Sequence, residues 1–103
     1  MKKTFQLTHP KINPARLIEA VRRDVKKYLK REKRKSLPDD VDYWDFDCKF
    51  GTTEVKAEII LVSEISKCIS EAEAENLESF YLEILAKPGY KKNPFTFKTS
   101  DDT

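Results

Sequence analysis

Apolar positions follow two periods along this chain. Between residues 13 and 35 they recur at the helical spacing: Ile18, Val21, Val25 and Leu29 are separated by three, four and four, with Leu17 and Tyr28 beside them. That pattern predicts one long helix with a single buried stripe. Asn13 stands where an N-cap accepts a free backbone N–H, and Pro14 at the first helical position, where a missing N–H costs nothing. No Gly or Pro interrupts before Pro38. At about 1.5 Å per residue such a helix spans roughly 30 Å.

Elsewhere the period is two. Residues 2–7 alternate with Phe5 and Leu7 on one face, which predicts a strand. Residues 42–50 place Trp44, Phe46, Cys48 and Phe50 on one face and Tyr43, Asp45, Asp47 and Lys49 on the other. Gly51-Thr52 then suits a two-residue type II′ hairpin. Residues 54–62 continue as a strand with Val55, Ala57, Ile59 and Leu61 inward. That turn fixes a register in which Phe50 opposes Thr53, Lys49 opposes Glu54 and Asp47 opposes Lys56. Both charged pairs are favourable across strands. Asp45 would then oppose Glu58, which requires a nearby cation or good solvation. Residues 63–76 predict a second helix, capped by Ser63, with Ile65, Ile69 and Ala72 inward. Residues 78–87 predict a last strand with Phe80, Leu82 and Ile84 inward, ended by Pro88-Gly89.

The predicted fold is α+β in the order βαββαβ, a ferredoxin-like split-βαβ sandwich with both helices on one side of an antiparallel sheet. A rival reading, βαβαβ with one long second helix from Thr53 to Asn76, fits Val55, Ile59, Val62, Ile65, Ile69 and Ala72. Strand followed by helix is preferred, because residues 59–62 are rich in β-branched residues and too uniformly apolar for one helical face. The 103 residues predict a single domain over 1–90 and a polar tail over 91–103, in which Phe95 and Phe97 can dock or pair with an edge.

Charge changes this picture most. The formal net charge is only +2, yet residues 1–36 hold 13 Lys/Arg against 3 Asp/Glu, while residues 37–85 hold 3 against 13. The basic excess rides the first helix and the acidic excess rides the hairpin and second helix. This is either an internal match or two poles facing different partners. No apolar run is long enough for a membrane span or a signal peptide, so a cytoplasmic location is expected. Cys48 and Cys68 have no CxxC partner and fit reduced structural thiols.

WDFDCKFG at 44–51 and EILAKPG at 83–89 resemble a small bacterial family of uncharacterised proteins, a domain of unknown function. The similarity runs from Lys2 to about Pro88. It implies a bacterial cytoplasmic protein and brings no activity, cofactor or site residue with it.

The residues themselves support three function classes. The first is a non-enzymatic binding or interaction module, acting through the basic helix and the acidic hairpin on a macromolecular partner or on a second copy. The second is non-specific nucleic-acid binding by Arg22, Arg23, Lys26, Lys27, Lys30, Arg31 and Arg34 along one helix. Base stacking on the sheet is disfavoured, since Asp45, Asp47, Glu58 and Glu83 would surround Tyr43 and Tyr81 there. The third, remote, class is a divalent-metal nuclease using Asp39, Glu54 and Lys56 in a loose PD…ExK pattern. The aspartates at 39, 40, 42, 45 and 47 fail the EF-hand spacing. His9, the one histidine, would need to approach Cys48 or Cys68 to form a nucleophilic pair, and both thiols are predicted inward. The reading assigns no catalytic residue, no metal site and no cofactor.

Overall fold

The computed structural model describes residues 1–91. Strand β1 (Lys2–Gln6) leads to helix α1 (Pro14–Lys33), then β2 (Tyr43–Gly51), a short β3 (Glu58–Ile60), helix α2 (Ile65–Ala74) and β4 (Ser79–Gly89). The fold is α+β in the predicted order. The single long helix from Thr53 is excluded: β3 is a strand, and α2 starts at Ile65 behind one 3₁₀ turn, Val62–Glu64. The expected tail over 91–103, with Phe95 and Phe97, lies outside the described residues beyond Lys91.

Helix α1 forms as its sequence dictates. The Asn13 side chain accepts from the Arg16 N–H at 3.0 Å, and Pro14 opens the helix. Ile18, Val21 and Val25 are buried, with Leu17, Tyr28 and Leu29 packed beside them. Asn13→Ala removes the cap acceptor and is expected to lower stability by about 1 kcal/mol in urea unfolding. The expected Ser63 cap of α2 is absent: Glu64 stands at the N-cap without a side-chain cap bond, and its Oε1 instead accepts from the Leu61 N–H at 2.8 Å, at the start of the 3₁₀ turn. The helix ends on Asn76 at φ 54°, with Leu77 N–H returning to the Ala72 carbonyl and Asn76 N–H to that of Glu73. That closure satisfies the last carbonyls and turns the chain into β4.

The four strands form one antiparallel sheet in the order β1-β4-β2-β3. β4 lies between β1 and β2, and β2 lies between β3 and β4, so each βαβ unit is split by a strand of the other. The central pair is β2 and β4, a variant of the ferredoxin-like interleaving, which centres the first and third strands. Length explains the choice: β2 and β4 have 9 and 11 residues, whereas β3 has only 3 and can serve only as an edge. Both helices cover the face bearing Phe5, Phe46, Cys48, Phe80, Leu82 and Ile84, and with Ile65, Ile69 and Ala72 of α2 these form one core. Trp44 is half-buried, and its indole N–H donates to the Lys35 carbonyl at 2.9 Å, tying the start of β2 to the end of α1.

The hairpin departs from expectation. Gly51 does not turn; it extends β2 and pairs with Tyr81 of β4. Phe50 opposes Glu58 rather than Thr53, so seven residues, 51–57, lie between the paired ends instead of two. A shift of five is odd, and an odd shift sends every side chain to the opposite face. Val55, Ile59 and Leu61, expected inward, are therefore exposed, Ala57 is half-buried, and Glu58 takes the helix-side face opposite Phe50. The turn has its own logic: Thr53 accepts the Lys56 N–H on both its hydroxyl and its carbonyl, and Ala57 N–H returns to Glu54. It passes so close to β2 that a Cβ on Gly51 would lie 2.6 Å from the Ala57 Cα.

Candidate macromolecular interface

All seven cations predicted for a binding face belong to α1 or its C-cap, Arg34. The structure divides them. Arg23, Lys27, Lys30 and Arg34 recur at spacings of four, three and four on the side opposite the buried stripe, and all are exposed. They form a straight solvent-facing ridge about 16 Å long, at roughly 1.5 Å per residue. Lys26 lies next to them on the α2 side.

Two of the seven are engaged within the chain. Arg22 is half-buried between the helices. Its guanidinium donates to the Ser66 hydroxyl at 2.8 Å and to the Ser70 hydroxyl at 2.6 Å, with a longer contact of 3.5 Å to the Ser66 carbonyl. Arg31 lies 5.6 Å over the Tyr28 ring and 4.0 Å from the Glu32 carboxylate. Glu32, buried on α1, also takes Lys35 at 3.0 Å. Nothing local in the sequence announces the role of Arg22, because its partners are 44 and 48 residues away. The one available signal is the i, i+4 spacing of Ser66 and Ser70 on the second helix.

Beside the ridge runs a groove of ≈ 490 Å³ between α1 and the start of α2. Val25, Leu29, Val62 and Ile65 floor it, and Arg22, Arg23 and Lys26 stand on its α1 side.

The acidic half does not neutralise this face. Among the described residues, no salt bridge joins α1 to an acid outside α1. The hairpin acids instead meet lysines of the sheet. Asp47 accepts from Lys87 at 2.6 Å, and Asp45 sits directly opposite Lys87. That lysine is the cation required near Asp45, and the hydrogen bond to Asp47 raises its pKa. Lys49 faces Glu83 on β4, not Glu54. Asp47 does not meet Lys56, because the odd register shift carries Lys56 into the turn. Away from the helices the sheet is thus close to charge balance. Further exposed acids, in no salt bridge among the described residues, lie before β2 at Asp39, Asp40 and Asp42, in the turn at Glu54, and on α2 and its flanks at Glu64, Glu71, Glu73, Glu75 and Glu78.

Tyr81 lies on that sheet face yet is buried. Its hydroxyl donates to Glu83 at 2.8 Å, and this bond, with burial and nearby carboxylates, pushes its pKa up to about 12. It offers no free ring to a base.

The nuclease set does not converge. Asp39 lies before the first residue of β2 and Glu54 beyond its last, so the nine-residue strand separates them by roughly 30 Å. Among the described residues, no three His, Cys, Asp or Glu side chains are grouped to hold a metal ion. Burial also disfavours both thiolates. Cys48 is buried and its pKa is raised to about 11, and burial raises that of half-buried Cys68. His9 is exposed, its Nδ1 accepting the Lys11 N–H at 3.0 Å.

The fold and this face define a small α+β domain carrying one exposed basic helix, and no helix among the described residues is long and apolar enough to cross a membrane. The chain belongs to a family of unknown function, DUF6172, whose model matches residues 1–94. No curated protein and no solved structure matches it.

Proposed function

We propose that this is a non-enzymatic interaction module whose α1 ridge binds an anionic macromolecule. The observation that supports it is the ridge itself: Arg23, Lys26, Lys27, Lys30 and Arg34 are exposed and form no salt bridge among the described residues. Holding five cations on one helical face costs self-repulsion that the helix dipole offsets only in part. A polyanion relieves the remainder. The acidic hairpin contributes less than its charge suggests, because Lys87 of β4 already answers Asp47 and stands opposite Asp45. The free thiols of Cys48 and Cys68 fit work in a reducing compartment such as the cytoplasm.

The nucleic-acid form of this reading draws support from the straightness of the ridge, where side chains follow a phosphate backbone with no base-reading element. Fluorescence anisotropy of a labelled duplex, titrated with the protein at several salt concentrations, tests it. If the five cations each displace a counterion, log K should fall with log salt at a slope of about −4 to −5. An acidic polypeptide run in parallel separates nucleic acid from an acidic protein partner. No retention of either probe at low salt would remove the reading.

A further inference from the structure

The groove between the helices is polar at one end and apolar at the other. Helix α1 joins the parallel strands β1 and β2, and α2 joins β3 and β4, which run the other way, so the helices are antiparallel. Arg22 lies across from Ser66 and Ser70, and Leu29 therefore lies toward Val62. Along α1 these ends are seven residues apart, about 10 Å. Val25, Ile65 and Ile69, all buried, lie under the space between them. The lining holds three cations, Arg22, Arg23 and Lys26, and no Asp or Glu, in a chain with 18 such acids. Arg22 is half-buried, and its hydrogen bonds among the described residues all go to neutral oxygens of Ser66 and Ser70. No salt bridge among the described residues reaches it. A guanidinium has five N–H donors, and three such contacts leave two of them over. A partly buried cation without a counter-charge is costly, and a carboxylate beside it recovers that cost through charge-assisted hydrogen bonds.

We propose that this groove is a binding site for a free amphipathic monoanion, a short aliphatic chain ending in a carboxylate. The head group sits at the Arg22 guanidinium and the Ser66 hydroxyl, with Lys26 on the rim. The chain runs over Val25 and Ile65 toward Leu29 and Val62. Three observations select this chemistry. The charge of the lining is of one sign, so the ligand is an anion. The far end is formed by Leu29 and Val62, which suits hydrocarbon and offers no hydrogen bond to a base or sugar. The volume of ≈ 490 Å³ lies within the range of about 300–1,000 Å³ over which apolar clefts with a few polar groups hold small ligands. The site goes beyond the ridge reading and does not rest on it. Lys27, Lys30 and Arg34 take no part in it, and a polyanion on the ridge needs no apolar floor.

Titration of the full chain with sodium octanoate, followed in methyl NMR spectra, tests it. The methyls of Val25, Leu29, Val62 and Ile65 should shift together and saturate. Octanol, the chain without the charge, and acetate, the charge without the chain, should each bind at least about tenfold more weakly. Arg22→Gln keeps a donor toward Ser66 and removes the charge. It should weaken octanoate about tenfold and erase the preference for octanoate over octanol, which looser helix packing alone would not do. Lys26→Glu, on the exposed rim, should weaken octanoate several-fold and serves if Arg22→Gln does not fold. Absence of a saturable shift overturns the proposal. So does equal binding of octanol, which reports apolar surface alone, and so does octanoate binding untouched by either variant. Retention on anionic phospholipid vesicles with no response to free octanoate gives the groove to a membrane surface. Methyl shifts that follow protein concentration give it to a second copy, and an octanoate response confined to a chain ended at Lys91 gives it to residues 92–103. Each of these three results overturns the proposal as well. Octanoate is no polyanion and a duplex carries no aliphatic chain, so the two readings fail separately.

Discussion

Gly51→Ala will lower the unfolding free energy by about 3 kcal/mol, toward the upper end of the overpacking range, or roughly 15 °C in Tm for a domain of this size. Local preference argues the other way, because alanine in place of a strand glycine normally gains about 0.5–1 kcal/mol. Sterics decide the sign. The new Cβ would meet the Ala57 Cα at 2.6 Å, the Ala57 nitrogen at 2.8 Å and the Lys56 carbonyl carbon at 2.9 Å. All three are backbone atoms and cannot rotate aside. Either residues 53–57 lift away, losing the Thr53 bonds, or β2 shifts against β4. No glycine among the described residues has a positive φ, so Gly51 is required for space and not for its torsions. Gly89 makes the contrast. Its Cβ would strike the Tyr43 ring, which can swing outward, so Gly89→Ala should cost less. Urea unfolding of the two variants beside the parent checks both, and a neutral Gly51→Ala would show that the loop does not cross the strand as described.

Reversing the ridge with Arg23→Glu, Lys27→Glu and Lys30→Glu will weaken binding of a polyanion by more than roughly a hundredfold at low salt and cut the salt slope by about three. Each reversal removes one counterion-releasing contact and adds one repulsion, and net charge moves from +2 to −4, three changes of two. The fold should tolerate this, because these side chains lie opposite Ile18, Val21 and Val25 and contribute nothing to the core. Relief of crowding among the cations offsets the less favourable placement of acids toward the helix C-terminus. Arg22 is the necessary exclusion: reversing it would set a carboxylate against the Ser66 and Ser70 hydroxyls and disturb helix packing. Anisotropy titrations with circular dichroism alongside separate lost binding from lost structure. Unchanged affinity would place the anion elsewhere.

Much of this fold was legible in the residues, and the failures share one cause. Helix α1 was readable because its cap, first-turn proline, apolar spacing and stop all agree locally. β1, β2 and β4 were readable because each buries one face and alternates cleanly. β3 was not. Gly51-Thr52 has the chemistry of a hairpin turn, and the alternation of Val55, Ala57, Ile59 and Leu61 is compatible with either face. The deciding fact is the pairing of Gly51 with Tyr81, thirty positions on, which keeps the glycine in the strand. The site divides the same way. A row of cations is visible in the sequence, whereas which of them are spent on internal contacts depends on Ser66, Ser70 and the geometry around Glu32. The acidic hairpin was overvalued because its counter-charges come from β4, a strand distant in sequence and adjacent in space.

The bond from Trp44 to the Lys35 carbonyl has a practical side. Trp44 is the chain's sole tryptophan, and it hangs from the turn just beyond the basic helix. The molecule thereby carries an intrinsic optical gauge at the margin of its most charged region. Fraying of that helical end, or an anion settling over it, would register as a change in indole emission with no label attached.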